Sequence, residues 1–267
     1  MPPARSAAAS SAALRVFITG ASSGIGRALA EHYAASGAQL GLVARRPALL
    51  HELSARWPGQ VREYPLDVTD AAALRAAAAD FVAGVGVPDV VIANAGVSVG
   101  TLTEHAADLD AIRHVMDVNY FGMAASFSPF IAGMRRAAGG RLVGIASLAG
   151  IRGLPGAEAY CASKAAAISY LESLRLELRD SGIRVLTICP GYIQTPMTEA
   201  NPFPMPFLLA ADDAAARIAR LIERGSSYSV VPWQMAIVGK LLRLLPNAVY
   251  DRLFAAAPRK PRQQERR

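Results

Sequence analysis

The chain has 267 residues, of which 52% are apolar and 18% charged; that length suits one large α/β domain, and the apolar share supplies a core and excludes wholesale disorder. The formal net charge is +7, but +4 of it sits at the end of the chain, where Arg259, Lys260, Arg262, Arg266 and Arg267 stand against Glu265 alone; the basic balance therefore says little about the body, and no nucleic acid partner is expected. Cys161 and Cys189 make neither a disulfide framework nor a zinc pattern, the four histidines show no ligand spacing, and no apolar run reaches the roughly 18 residues of a membrane span, so a reducing, cytoplasmic setting is expected and a metal site is not.

Residues 1–13 are rich in Ala, Ser and Pro and lack the apolar stretch of a signal peptide, so a disordered N-terminus is expected. Leu14 to Thr19 (LRVFIT) reads as a strand, followed by a glycine-rich stretch and a helical segment, Arg27 to Ser36, that Gly37 closes. The alternation continues with strands at Gln39 to Ala44, Val61 to Pro65 and Asp89 to Ala93, and an alanine-rich helix from Ala71 to about Ala83. A helix is expected over Leu109 to about Arg136, a strand over Arg141 to Ala146, a helix over Tyr160 to Asp180, and strands at Arg184 to Cys189 and Tyr228 to Val231. Strands alternating with helices imply right-handed βαβ units, and continuously apolar strands such as Val90-Val91-Ile92 imply a sheet covered on both faces. The predicted fold is α/β: a doubly wound, Rossmann-type parallel sheet of about seven strands with helices on both faces, plus C-terminal amphipathic helices. Such sheets bind ligands at the carboxyl ends of their strands.

Between the first strand and first helix lies Thr19-Gly20-Ala21-Ser22-Ser23-Gly24-Ile25-Gly26, spaced G-x-x-x-G-x-G. Glycines there permit a tight turn and close backbone approach to a pyrophosphate, with the helix N-terminus facing the phosphates. A plain turn could use the same glycines; the strand before and the helix after favour the nucleotide reading. No Gly-Lys-Ser/Thr follows, which disfavours a P-loop nucleotidase. The second strand ends Ala44-Arg45-Arg46, with no carboxylate to meet a ribose 2′-hydroxyl. A guanidinium pairs with a 2′-phosphate, so NADP(H) is preferred and NAD(H) stays admissible.

Tyr160 and Lys164 are four residues apart at the start of an expected helix and share one face. An ammonium beside a phenol lowers its pKa from about 10 and fits it for proton transfer to a substrate oxygen. Ser147 follows a strand end, where its hydroxyl can hold that oxygen, and Asn94-Ala95-Gly96 follows another. Asn119 lies in a helical stretch although asparagine is a poor helix former, which points to a helix distortion or a bound water.

Taken in order and spacing, the glycine loop, Asn94-Ala95-Gly96, Asn119, Ser147, Tyr160-x-x-x-Lys164 and Pro190-Gly191 resemble the short-chain dehydrogenase/reductase family, in its shorter single-domain branch, over residues 14 to 231. The resemblance implies an oxidoreductase interconverting a carbonyl and a secondary alcohol. In it Tyr160 is the general acid/base, Lys164 lowers its pKa and binds the nicotinamide ribose, Ser147 orients the substrate oxygen and Asn119 holds a relay water. Gly20, Ser22, Ser23, Gly24 and Ile25 would line the pyrophosphate. Asp67 and Val68 would flank the adenine, with Asn94 and Gly96 on the adenine-ribose side. Pro190, Ile193 and Thr195 would meet the nicotinamide end. Some NADP-dependent members carry a basic residue where this chain has Ser23, which leaves Arg45 and Arg46 to carry a 2′-phosphate.

Residues 192–212 correspond to the family's variable lid and are apolar and proline-rich, pointing to a hydrophobic substrate. Residues 233–257 form an amphipathic extension that Pro246 is expected to break; such helices pack on the body, form a subunit contact or lie in a membrane interface. Residues 258–267 read as a basic, disordered tail that would favour the membrane. A homodimer or homotetramer is expected from the resemblance. Cys161 and Cys189 read as packing residues. The rival functions are a non-catalytic NADP sensor, and an isomerase or epimerase using the same tyrosine.

Overall fold

Residues 13–199, 201 and 203–262 are described by the computed structural model. Four strands are buried almost throughout: β1 (Arg15–Thr19), β4 (Val90–Ala93), β5 (Arg141–Ile145) and β6 (Arg184–Pro190). Strands of that kind must be covered on both faces. β2 (Gln39–Ala44) is buried likewise, while β3 (Val61–Pro65) and β7 (Tyr228–Val231) are more exposed, as edge strands should be. The seven strands pair in parallel in the order β3-β2-β1-β4-β5-β6-β7. The order reverses between β1 and β4, and a crevice opens at the carboxyl ends of these two strands.

One face of the sheet is covered by α1 (Gly24–Ala35), α2 (Pro47–Arg56) and α8 (Ala211–Arg224); Val16 and Ile18 point into that core. The opposite face is covered by α3 (Ala71–Gly84), α5 (Gly122–Arg136) and α6 (Glu158–Glu177). Phe17 points that way, its ring centroid 4.9 Å from Phe130 and 5.5 Å from Phe81. The alternation along β1 follows from the period-two geometry of a strand.

Four expectations need correction. The single helix over Leu109 to Arg136 is instead α4 (Leu109–Met116) and α5, joined by a π-helical turn at Asp117–Phe121. Alpha2 and α8 lie in stretches where no helix is expected; Pro47 at the first position starts one, and a strongly amphipathic sequence drives the other. Alpha8 begins at Ala211, inside the segment expected to form a lid, and α7 (Pro196–Glu199) makes one turn within that segment. Beyond Pro258 the chain is not a free tail: as far as Arg262 it lies on the body, because the Arg262 guanidinium pairs with the buried Asp108 at 2.9 and 3.0 Å. Residues 1–12 and 263–267, on which the other terminal expectations fall, lie outside the described residues.

The C-terminal extension is two helices, α9 (Gln234–Leu244) and α10 (Asn247–Phe254), broken at Pro246 as expected. One side packs on the body: Met235, Gly239 and Tyr250 are buried, and the Tyr250 hydroxyl donates to Gly153 O at 2.6 Å. Arg152 stacks on the Tyr250 ring and donates to the last carbonyls of α9, Leu242 O and Leu245 O. Among the described residues, no helix is long and apolar enough to cross a membrane and no three metal-ligating side chains cluster.

Candidate cofactor and active site

At the end of β1 the chain turns through Gly20, at φ +70°, a conformation that favours glycine. A Cβ there would lie 2.7 Å from Ala95 Cα, and one on Gly26 would run into Gly20 O and Asn94 Nδ2. Backbone approach this close ties the β1 turn to the end of β4. Asn94 reinforces it: its Nδ2 donates to Thr19 O and Gly20 O, each at 3.1 Å. Alpha1 then starts at Gly24 with no side-chain cap on its N–H groups and no acidic residue in its first turn. Uncapped N–H groups at the head of a helix attract an anion. Arg46 Nη2 reaches Ser22 Oγ and Ser23 Oγ at 2.9 Å each, setting a guanidinium over the same loop. Arg45 leans instead toward Asp67, 3.7 Å away. Burial pushes the Asp67 carboxyl up, but hydrogen bonds from Thr69 and the Arg45 charge hold it below its usual range.

At the other end of the crevice, Ser147 follows β5 and caps a 3-10 turn, its Oγ accepting from Ala149 N–H at 3.1 Å. Ser147 also stands beside the Tyr160 phenol, where it pulls the phenol's pKa down. Tyr160 and Lys164 stand in the first turns of α6. Lys164 Nζ donates to Ile145 O at 2.8 Å and lies 5.9 Å from the centre of the Tyr160 ring.

The expected depression of the tyrosine pKa does not occur here. Burial dominates and holds the Tyr160 phenol above its ordinary value, against the pull of the Ser147 hydrogen bond. Burial also lowers Lys164 to about 8, so its ammonium is itself a strained guest.

Asn119 sits in the π turn, fully buried, and does not line the crevice. Its Oδ1 accepts from Val97 N–H at 2.8 Å; its Nδ2 donates to Val97 O at 3.0 Å and Ser163 Oγ at 2.9 Å. Ser163 in turn donates to Tyr160 O at 2.8 Å. The amide therefore clamps the start of α6 to the segment after β4. The helix distortion expected at this asparagine is present as the π turn.

The crevice wall includes Gly20, Ser22, Ser23, Gly24, Ile25, Arg45, Arg46, Asp67, Val68, Asn94, Gly96, Ser147, Tyr160, Lys164, Pro190, Ile193 and Thr195, every residue singled out from the sequence except Asn119. It also includes Leu66, Val118, Ile145, Met197 and Thr198, which sequence reasoning missed. Position just beyond or at a strand end was the available signal for Leu66 and Ile145. Thr198 had none: it matters because its Oγ1 donates to Ile193 O at 2.7 Å and accepts from Thr195 N–H at 3.0 Å, folding the lid's base. Cys161 and Cys189 are buried, as packing residues would be.

Residues 15–203 match the family model described as short chain dehydrogenase. An oxidoreductase of Myxococcus xanthus (strain DK1622), described as uncharacterized, is 41% identical over 239 residues, spanning 88% of this chain and 93% of that protein. A short chain dehydrogenase from Burkholderia cenocepacia J2315, solved in complex with NADP, shares 26% identity at a TM-score of 0.79, over 92% of this chain and 98% of that one. A short chain dehydrogenase/reductase from Burkholderia phymatum, solved with NAD, has the same fold at 24% identity and a TM-score of 0.78, over 93% of this chain and 97% of that one. By sequence match and shared fold alike, the chain belongs to the short-chain dehydrogenase/reductase family and is an NAD(P)-dependent oxidoreductase.

Proposed function

We propose that the protein interconverts a carbonyl and a secondary alcohol on an apolar small molecule, with Tyr160 moving the proton and NADP(H) preferred over NAD(H). The observation that carries this reading is the Tyr160 phenol, set beside Ser147 and Lys164 in the crevice that ends at the uncapped head of α1. A bound nicotinamide supplies or accepts the hydride. The phenol, held above its ordinary value, carries the proton that donation to a carbonyl oxygen requires. With a carbonyl in place, the Ser147 hydroxyl turns its one proton to the same oxygen. Lys164, with one N–H committed to Ile145 O, has two left for ribose hydroxyls. Asn119 acts by positioning, and its committed amide leaves one Oδ1 lone pair for a relay water.

The Tyr160→Phe variant keeps the ring and loses the proton. Turnover should fall about 10²- to 10⁴-fold, with the NADPH dissociation constant unchanged by fluorescence titration; near-normal turnover sinks the reading.

The fit of an NADP-type dinucleotide rests on the glycine cradle, the uncapped helix and Arg46 poised with two serine hydroxyls. For the substrate, the lid leaves Met197, Phe207 and Leu208 exposed, an arrangement that favours an apolar ligand. The pyrophosphate, adenine and nicotinamide-end roles of Ser22, Ser23, Ile25, Val68, Pro190, Ile193 and Thr195 belong to the same reading, as does a homo-oligomeric state.

A second reading concerns the outer side of the C-terminal helices. Trp233, Ile237, Leu241 and Leu244 fall on one stripe of α9 and face solvent, with Leu244 78% exposed. Lys240 is exposed on the same helix and Arg252 on α10, so an anionic lipid surface fits these helices. Wild type should float with anionic vesicles, and a variant with serine at 237, 241 and 244 should not. If that variant instead loses only self-association in light scattering, a second copy covers the face.

A further inference from the structure

The last described residues cross the substrate side of the crevice. Lys260 Nζ donates to Ser98 Oγ at 3.1 Å, in the segment after β4, and to Met197 O at 3.2 Å, in the lid. Gly100 N–H donates to Pro261 O at 3.2 Å, and a Cβ on Gly100 would collide with Lys260 O. A Cβ on Gly156 would press on Arg259, so the segment also lies against the turn that leads into α6 and Tyr160. The crossing is anchored beyond it. Arg262 holds both oxygens of Asp108, whose side chain is only 2% exposed and also accepts from Leu102 N–H at 2.9 Å. A carboxylate this buried requires its cation, and a bidentate guanidinium fixes direction as well as charge.

We propose that residues 259–262 form a strap that sets the resting position of the substrate lid, with Lys260 as a specificity-determining, positioning residue. The consequence for catalysis rests on the reaction proposed above; the hold on the lid does not. The strap bonds Ser98, Gly100, Met197 and Asp108, so its effect is expected first on the lid and on substrate affinity. Two groups 99 residues apart in sequence, 98 and 197, meet at one ammonium, so loosening that ammonium frees the lid from the body.

The test uses full-length protein. Lys260→Met keeps the aliphatic stem and loses the ammonium, and with it the bonds to Ser98 and Met197. In cofactor-free enzyme, amide exchange over Thr195–Glu199 should quicken about tenfold, the scale of a lost charged hydrogen bond. In turnover with NADPH, KM for an apolar ketone should rise several-fold while the NADPH dissociation constant holds within twofold. Lys260→Arg, which keeps a donor, should restore most of both. Deleting residues 259–267 should move exchange and KM in the same direction and further, with folding checked by the thermal midpoint. Unchanged lid exchange overturns the strap. Faster exchange with unchanged KM overturns its role in specificity, and a parallel loss of NADPH affinity shows a merely structural part and overturns it as well. If wild type reduces no carbonyl at all, the reaction assignment fails while the exchange comparison still decides the strap.

Discussion

The two ends of the crevice are built by different means. The nucleotide end is made of backbone: Gly20, Gly24 and Gly26 let chain approach chain, and Asn94 locks the β1 turn to the end of β4. The substrate end joins distant parts of the sequence and leans on a side chain, with the Lys260 ammonium meeting the Ser98 hydroxyl and the Met197 carbonyl over half-exposed ground. It also leaves Met197, Phe207 and Leu208 in solvent, and Phe207 stands at φ +57° without being glycine. Backbone contacts tolerate no change of side chain, whereas a wall of side chains can be rebuilt residue by residue. A fold built this way can keep its cofactor while changing its substrate.

That contrast can be broken most forcefully at Gly26. Gly26→Ala drives a methyl into Gly20 O and Asn94 Nδ2. Nucleotide affinity should fall by about two orders of magnitude or more, and overpacking should cost about 1–3 kcal/mol in urea unfolding. Near wild-type binding would mean that the nucleotide end is as adaptable as the lid.

Lys164 lies where the ends meet and tests the electrostatic side. Burial lowers its pKa to about 8 in the fold, against 10.5 in solution. Below pH 8 both states carry the proton and the fold bears the full desolvation cost. Between about pH 8 and 10.5 the unfolded chain binds more protons, so this residue's contribution to stability rises with pH. Relative to wild type, Lys164→Met should therefore gain most below pH 8, by at most about 3 kcal/mol before the lost Ile145 bond is subtracted. The difference should narrow as pH climbs toward 10.5. A gap that ignores pH between 7 and 10 would show that water reaches the ammonium.

The smallest effect belongs to Arg46, a side chain at the backbone end. Its alanine variant should lose about tenfold in NADPH affinity, as expected for a charge-assisted hydrogen bond, and almost none for NADH. Equal losses for both nucleotides would move the 2′-phosphate to other groups.

Much of the nucleotide end was legible in the sequence because its parts are contiguous: a strand, a glycine turn and a helix within residues 15–35. Tyr160 and Lys164 were legible for the same reason, since four residues of helix bring them to one face. What escaped depended on tertiary placement. The sheet order, the strap and the meeting of Met197 with Lys260 link residues far apart in sequence. Burial of the Tyr160 phenol outweighs the pull of Ser147, and burial cannot be read from a pair of letters. The basic tail looked solvated because its partner, Asp108, is an acid whose burial no local pattern announces.

The π turn at Asp117–Phe121 has a consequence for how this protein can change length. It holds Asn119 where the amide meets Val97 and Ser163. Each helical residue turns the chain by about 100°, so deleting one residue from the turn would swing the faces of α4 and α5 out of phase and carry Asn119 off its partners. The lid, by contrast, can gain or lose residues in the stretch from 201 to 207, between α7 and α8, without turning either helix. Insertions and deletions are thus a free variable on one side of the crevice and close to forbidden on the other.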